Sequence, residues 1–178
     1  MSKVLAIDTS TSRTSVAIID GDTVVFNGFQ DGAAAHGPSL PALVQEALAV
    51  SDVDEVVVGM GPGPFTGLRV GIAFAQSFAL ARQIPVRGVC SLDAIAAQIN
   101  EKDFIITVDA RRKEVYWARY IDGVRAGEPA VNFPADVSGA SIHPDLFVDL
   151  QALVTLPGNI TEPIYLRRPD AIATVDRT

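Results

Sequence analysis

GMGPGPFTGLRVG, residues 59–71, places five glycines and two prolines between an apolar run and a long apolar helical pattern. Residues this permissive belong where a backbone turns sharply or where another group approaches it closely. The segment is not a Walker A loop, because no lysine follows its glycines. Nor is it a dinucleotide fingerprint: Gly61-Pro62-Gly63 is followed by Thr66 where the third glycine belongs. What remains is a strand-to-helix corner whose free amides at a helix N-terminus can hold an anion. The helix that follows, over about residues 66–83, offers other uses for the glycines. Gly67, Gly71, Ala75 and Ala79 recur every four residues as a smooth stripe, and Val70, Phe74 and Phe78 form an adjacent bulky one. Smooth stripes allow close approach of a second helix, and apolar ones ask for cover. Packing within the fold, a partner helix and a ligand all remain open at this point.

Around the corner the chain reads as a mixed sheet. KVLAIDTS (3–10) is a buried strand ending in a polar turn, TSVAIID (14–20) is its neighbour, and Asp20-Gly21-Asp22 forms a hairpin turn into a third strand. GPSLPALVQEALAV (37–50) has helical spacing, with Ser39 as the expected N-cap ahead of Pro41. VDEVVVGM (53–60) is apolar throughout, as in the interior of a parallel sheet. A short strand, VRGVC (86–90), and a helix from Ser91 follow the corner helix. Three hairpin-linked strands, then alternating helix and strand, is the order of one ribonuclease-H-like lobe.

The opening plan returns in the second half. IITVDARRKEVYWARYIDG (105–123) is again strand, Asp, polar turn, strand and Asp-Gly; Asp109 to Gly123 spans 14 residues against 13 from Asp8 to Gly21. The repeat predicts two related lobes, residues 1–100 and 101–178, with the second shortened. Beyond Gly123 the pattern fades: HPDLFVDLQALVTL (143–156) reads as one helix and PIYLRRP (163–169) as one strand.

Composition narrows the functional classes. The 178 residues carry 14 Lys plus Arg against 21 Asp plus Glu, for a net charge of -7. That field opposes a phosphate backbone, so nucleic-acid binding by the chain alone is expected to be weak. One cysteine, Cys90, excludes an intramolecular disulfide and a cysteine-clustered zinc site. The opening MSKVLAIDTS has a four-residue apolar run ended by an aspartate. A secretory leader has about 7 to 15 apolar residues there, so a cytoplasmic protein without membrane contact is expected. His36 is followed four residues later by Leu40, His143 lies far off, and no Ser or Cys stands in a nucleophile elbow. No metal site and no catalytic residue is therefore expected. Asp8, Thr9 and Ser10 form the one polar turn that could approach a phosphate or cofactor, against the alternative of a self-satisfied Asx or Ser/Thr turn.

VLAIDTSTSRTSVAI, VGMGPGPFTGLRVGIAFAQSFALARQIPVRGVCSLDAIA, DARRKEVYWARY and PIYLRRP together resemble the TsaB (YeaZ-type) proteins of bacterial tRNA threonylcarbamoyladenosine synthesis. The resemblance is dense over about residues 3–120 and returns at 163–169. It implies an α/β, actin-like (ASKHA) fold of two lobes. It also implies a non-catalytic partner of the paralogous TsaD transferase, which carries a metal-binding His-x-x-x-His motif and modifies N6 of adenosine 37 in tRNA. Here His36 with Leu40 keeps at most one arm of that motif. Further implied are a TsaE-type ATPase partner, a homodimer when alone, tRNA contact only through the complex, and no cofactor of its own, with ATP or ADP at most at a partner interface. Gly67, Val70, Gly71, Phe74 and Phe78 match the family segment that packs on the partner or a second copy. Two departures stand out: Pro64 replaces the family's usual serine, and residues 124–162 lack a family match. The competing expectations are a glycoprotease-like peptidase and a small ASKHA kinase-like nucleotide-binding protein.

Overall fold

The computed structural model describes residues 2–167. Strands β1 (Lys3–Asp8), β2 (Arg13–Asp20) and β3 (Thr23–Asp31) form an antiparallel meander, with Asp20 paired to Thr23 across the expected Gly21–Asp22 turn. Helix α1 (His36–Val50), β4 (Glu55–Gly59), α2 (Phe65–Arg82), β5 (Val86–Val89) and α3 (Ser91–Ala96) follow. The sheet order is β3-β2-β1-β4-β5, with β4 and β5 parallel to their neighbours. A second sheet holds β6 (Asp103–Asp109), β7 (Val115–Ile121), β8 (Val124–Arg125), β9 (Ala130–Asn132) and β10 (Ser141–Pro144) in the order β10-β6-β7-β8, with β9 also on β7. Helix α4 (Leu150–Thr155) comes last.

Period-2 alternation sorts the central strands between two cores. Leu5, Ile7, Val16, Ile18, Val56 and Val58 face α1 and α2 and pack on Leu40, Val44, Leu68 and Ile72. Val4, Ala6, Ala17, Ile19 and Val57 face the other way and meet α3, α4 and the second sheet through Ile95, Leu153, Phe104 and Tyr120. Both faces of β1 and β4 are thus buried, which is why their sequences are almost continuously apolar. The halves of the chain share this second core.

Three sequence expectations change. Ser39 does not cap α1: a 3-10 turn over Ala33–Ala35 carries the chain into a helix that starts at His36 and contains Pro41. Residues 143–156 are not one helix. Ser141–Pro144 adds to β6 as a parallel strand, Asp145 turns the chain at φ 60, and Asp149 caps the short α4 through the amides of Gln151 and Ala152. Proline and a positive-φ residue end one element, and a capping carboxylate starts the next. Of 163–169, residues 163–167 carry no strand and 168–169 lie outside the described residues.

Residues 157–167 instead form a strap. Arg87 donates to Val154 O in α4 and to Leu156 O just beyond its end, while pairing with Glu55. Ile160 N–H then bonds Gly88 O on the open edge of β5, and Ile164 N–H bonds Met60 O beside the glycine corner. Tyr165 packs on Phe65 at 4.9 Å between ring centroids, and Arg167 reaches Ala110 O and Glu114 in the second half. A covered edge offers no template for a foreign strand.

Candidate functional site

The β1–β2 turn and the glycine corner meet in the most polar part of the interior. Asp8, Thr9 and Ser10 are all buried. Asp8 Oδ1 accepts from Ser10 N–H (2.9 Å) and Ser10 Oγ (2.8 Å), and Oδ2 accepts from Ser91 Oγ (2.7 Å). Ser91 Oγ in turn accepts from the Gly61 amide at 3.1 Å. Burial pushes the Asp8 carboxyl above its ordinary range, while the bonds from Ser91 and Ser10 pull it back. Thr9 Oγ donates to Gly67 O at 2.7 Å, which ties the turn to the first turn of α2.

The glycines of the corner exist for this contact. A Cβ on Gly63 would strike the backbone of Ser10, and one on Gly71 would strike Thr9 Oγ1. On Gly67 it would lie 2.8 Å from Thr9 O and 3.3 Å from the His36 ring. His36 is buried beneath that helix and shares a 2.7 Å hydrogen bond with Thr14 Oγ1 through Nδ1. Burial holds its pKa below the ordinary histidine value.

The Ser10 amide and hydroxyl are held by Asp8, and the Thr9 hydroxyl is held by Gly67. Asp8, Thr9 and Ser10, the residues expected to approach a phosphate or cofactor, here clamp β1 to the glycine corner through these bonds and the one from Ser91.

The two stripes of α2 separate cleanly. Gly67, Gly71, Ala75 and Ala79 are buried against the chain's own sheet and turn, so Gly67 and Gly71 are not surface residues, and their close neighbour is a turn rather than a crossing helix. Val70, Phe74 and Phe78 are half-buried at the rim of the first core, with Phe74 and Phe78 stacked at 6.0 Å. Leu80 is 81% exposed on the same helix, and Val50 is 58% exposed at the end of α1.

The second polar turn is built differently. Arg111, Arg112 and Lys113 all have positive φ, and Asp109 accepts from the Arg111 amide at 2.8 Å. It faces Thr11, Ser12 and Pro64 across a small cleft of about 70 Å³. Cys90 is buried, and burial together with the nearby Asp93 pushes its thiol up to about 12, so it stays protonated.

A family profile for TsaD, tRNA N6-adenosine threonylcarbamoyltransferase, matches residues 31–152. The chain belongs to this family. Within the family it is of the TsaB/YeaZ type. Proteins named tRNA threonylcarbamoyladenosine biosynthesis protein TsaB are 37% identical in Escherichia coli and 34% in Bacillus subtilis, over 66% of this chain in both cases. The matches cover 54% of each of those proteins, so this chain spans about half the length of the TsaB relatives it matches. An uncharacterized protein of Mycobacterium tuberculosis is 44% identical over 96% of this chain and 94% of its own length. Among solved structures, a Pseudomonas aeruginosa protein described as similar to peptidase YEAZ superposes with a TM-score of 0.78 at 26% identity, covering 94% of this chain and 100% of that one. The ethanolamine utilization protein EutJ of Carboxydothermus hydrogenoformans superposes with a TM-score of 0.51 at 11% identity, over 72% of this chain and 50% of that one. The fold is thus the α/β, actin-like fold that the family resemblance implies, and the strand order β3-β2-β1-β4-β5 is that of the expected ribonuclease-H-like lobe.

Sequence reasoning missed Ser91 as the second clamp on Asp8. Its position, first in a helix directly after a parallel strand beside β1's neighbour, was the available signal. It also missed Arg13, whose surroundings depend on Phe147 from the far half of the chain.

Proposed function

We propose that this TsaB-type chain is the non-catalytic partner of a TsaD-type transferase, required for threonylcarbamoylation of N6 of adenosine 37 in tRNA. The observation that carries the reading is the outer stripe of α2. Val70, Phe74 and Phe78 are only half-buried on the flank of a helix whose inner side is sealed, and Leu80 is exposed elsewhere on the same helix. An apolar surface of this kind marks a protein interface, and here it fits the TsaD-type subunit or a second copy of the chain. The chemical inventory supports a supporting role. His36 is packed on Thr14, Leu40 lies in the core, and among the described residues no three His, Cys, Asp or Glu side chains cluster as metal ligands. Neither Ser91 nor Cys90 offers the peptidase reading an activated nucleophile: Ser91 Oγ donates to buried Asp8, and Cys90 holds its proton.

On this reading, ATP or ADP and the TsaE-type ATPase meet the assembly rather than this chain alone. tRNA is held through the complex in the cytoplasm, consistent with a net charge of -7. The test is reconstitution. Purified TsaD-type paralogue, TsaE-type ATPase, threonylcarbamoyl adenylate and tRNA should yield modified adenosine only when this chain is added. Equal modification without it would refute the assignment, as would peptide or ATP turnover by this chain alone that His36→Ala removes.

A further inference from the structure

Residues 111–113, Arg-Arg-Lys, are the one place in the sequence where three basic residues run together, in a chain whose net charge is -7. All three are exposed, and their backbones sit at φ 62, 56 and 63. That left-handed conformation crowds the Cβ of any L-residue, so long cationic side chains stand where glycine or asparagine would fit more easily. The turn is pinned from within the chain. Ala110 N–H bonds Glu114 O at 2.9 Å, Glu114 N–H bonds Arg111 O at 3.0 Å, and Arg111 N–H bonds Asp109 Oδ1 at 2.8 Å. Arg167 adds a bond to Ala110 O from the strap. The cations therefore project from a fixed base.

The neighbouring acids do not cancel them. Glu114 is taken by Arg167. Asp109 gives one oxygen to the Arg111 amide, and the other lies 3.7 Å from Arg111 Nη1 with both side chains more than half exposed. An exposed pair of that kind holds its partners loosely. Asp145 lines the clefts on both flanks of the turn. Three cations thus face two carboxylates, and the turn is net positive. We propose that it is a phosphate contact for RNA, resting on the TsaD-type partnership above: with tRNA held by the complex, residues 111–113 meet its backbone. Guanidinium forks match phosphate oxygens in pairs. A protein interface is instead rich in aromatics and poor in lysine at its core, whereas phosphate contacts need only exposed cations on a fixed frame.

The test is anisotropy of labelled tRNA titrated with the assembled complex over a range of salt. Arg111→Asn, Arg112→Asn and Lys113→Asn are combined in one chain. Asparagine enters the left-handed region more readily than Arg or Lys, so Tm should hold or rise. Binding of tRNA should weaken on the order of tenfold near 0.1 M salt, and the slope of log K against log salt should flatten by about 2. Arg111→Lys with Arg112→Lys keeps the charges and should keep the slope. Unchanged affinity and slope in the asparagine variant overturn the proposal. So does loss of assembly with the paralogue while the slope stays, which would make the turn a contact for an acidic protein surface. If the native chain does not assemble at all, the partnership fails separately and amide NMR of the chain alone decides. At about 20 mM salt, where phosphate contacts are strongest, tRNA should then move the amides of residues 110–114 in the native chain. No shift there overturns the proposal.

Discussion

The two sides of α2 carry residues of opposite size and meet opposite neighbours. Inward, Gly67 and Gly71 let the helix backbone rest on Thr9, where even one added methyl collides with the β1–β2 turn. Outward, Val70, Phe74 and Phe78 have bulk that the chain itself only half covers. Small residues four apart thus mark contact with the chain's own turn, and the large ones beside them form the surface proposed above for a partner. The glycine-rich corner is answered by the first side: the group approaching its backbone is another part of the same chain. The proposed partner surface is the second side.

The largest effect on stability should come from filling the inner side. Gly71→Leu must displace Thr9 and the turn that carries Asp8, which should cost about 3 kcal/mol or more and be read as a large drop in Tm. A melting temperature unchanged by Gly71→Leu would erase the distinction between the two sides. Next comes the strap, which covers the start of the outer side by seating Tyr165 on Phe65. Arg167→Ala removes the bond to Ala110 O and the pair with Glu114, for an expected loss of about 1 kcal/mol and faster proteolysis within residues 157–167. Unaltered proteolysis would mean that the strap is held without its arginine.

A smaller, pH-dependent effect belongs to His36 under the inner side. Its folded pKa lies below the ordinary value, so its contribution is present above about pH 6.5 and is lost as pH falls and the unfolded chain takes up the proton preferentially. Tm should fall between about pH 8 and pH 5.5 more steeply for the native chain than for His36→Gln. Identical slopes would show that His36 is not held neutral beneath α2.

Much of this architecture is legible in the sequence, and particular residues show why. Val4–Ile7 and Val56–Val58 are apolar on both faces, so β1 and β4 declare themselves as central strands. Four-residue spacing placed α2 within a residue of its observed ends. Residues 143–156 misled because an apolar helical period is satisfied equally by a strand at Ser141–Pro144 and a capped helix at Leu150. The inward glycines are ambiguous from sequence for a related reason: period four specifies a smooth stripe but not what lies on it. The clamp on Asp8 by Ser91 and the stacking of Arg13 on Phe147 join distant segments, and no local pattern encodes them.

The most direct test of the partnership leaves the inner side intact and changes only the outer. Val70→Arg should keep its fold, because the long side chain at this half-buried position can carry its charge to solvent. Across an interface the same charge would be buried unpaired, at a cost on the order of 3 kcal/mol. Light scattering of native chain mixed with the TsaD-type paralogue should give the mass of a complex. Val70→Arg, with a native melting temperature, should give only the separate subunits. A folded Val70→Arg chain that still assembles fully would contradict the account.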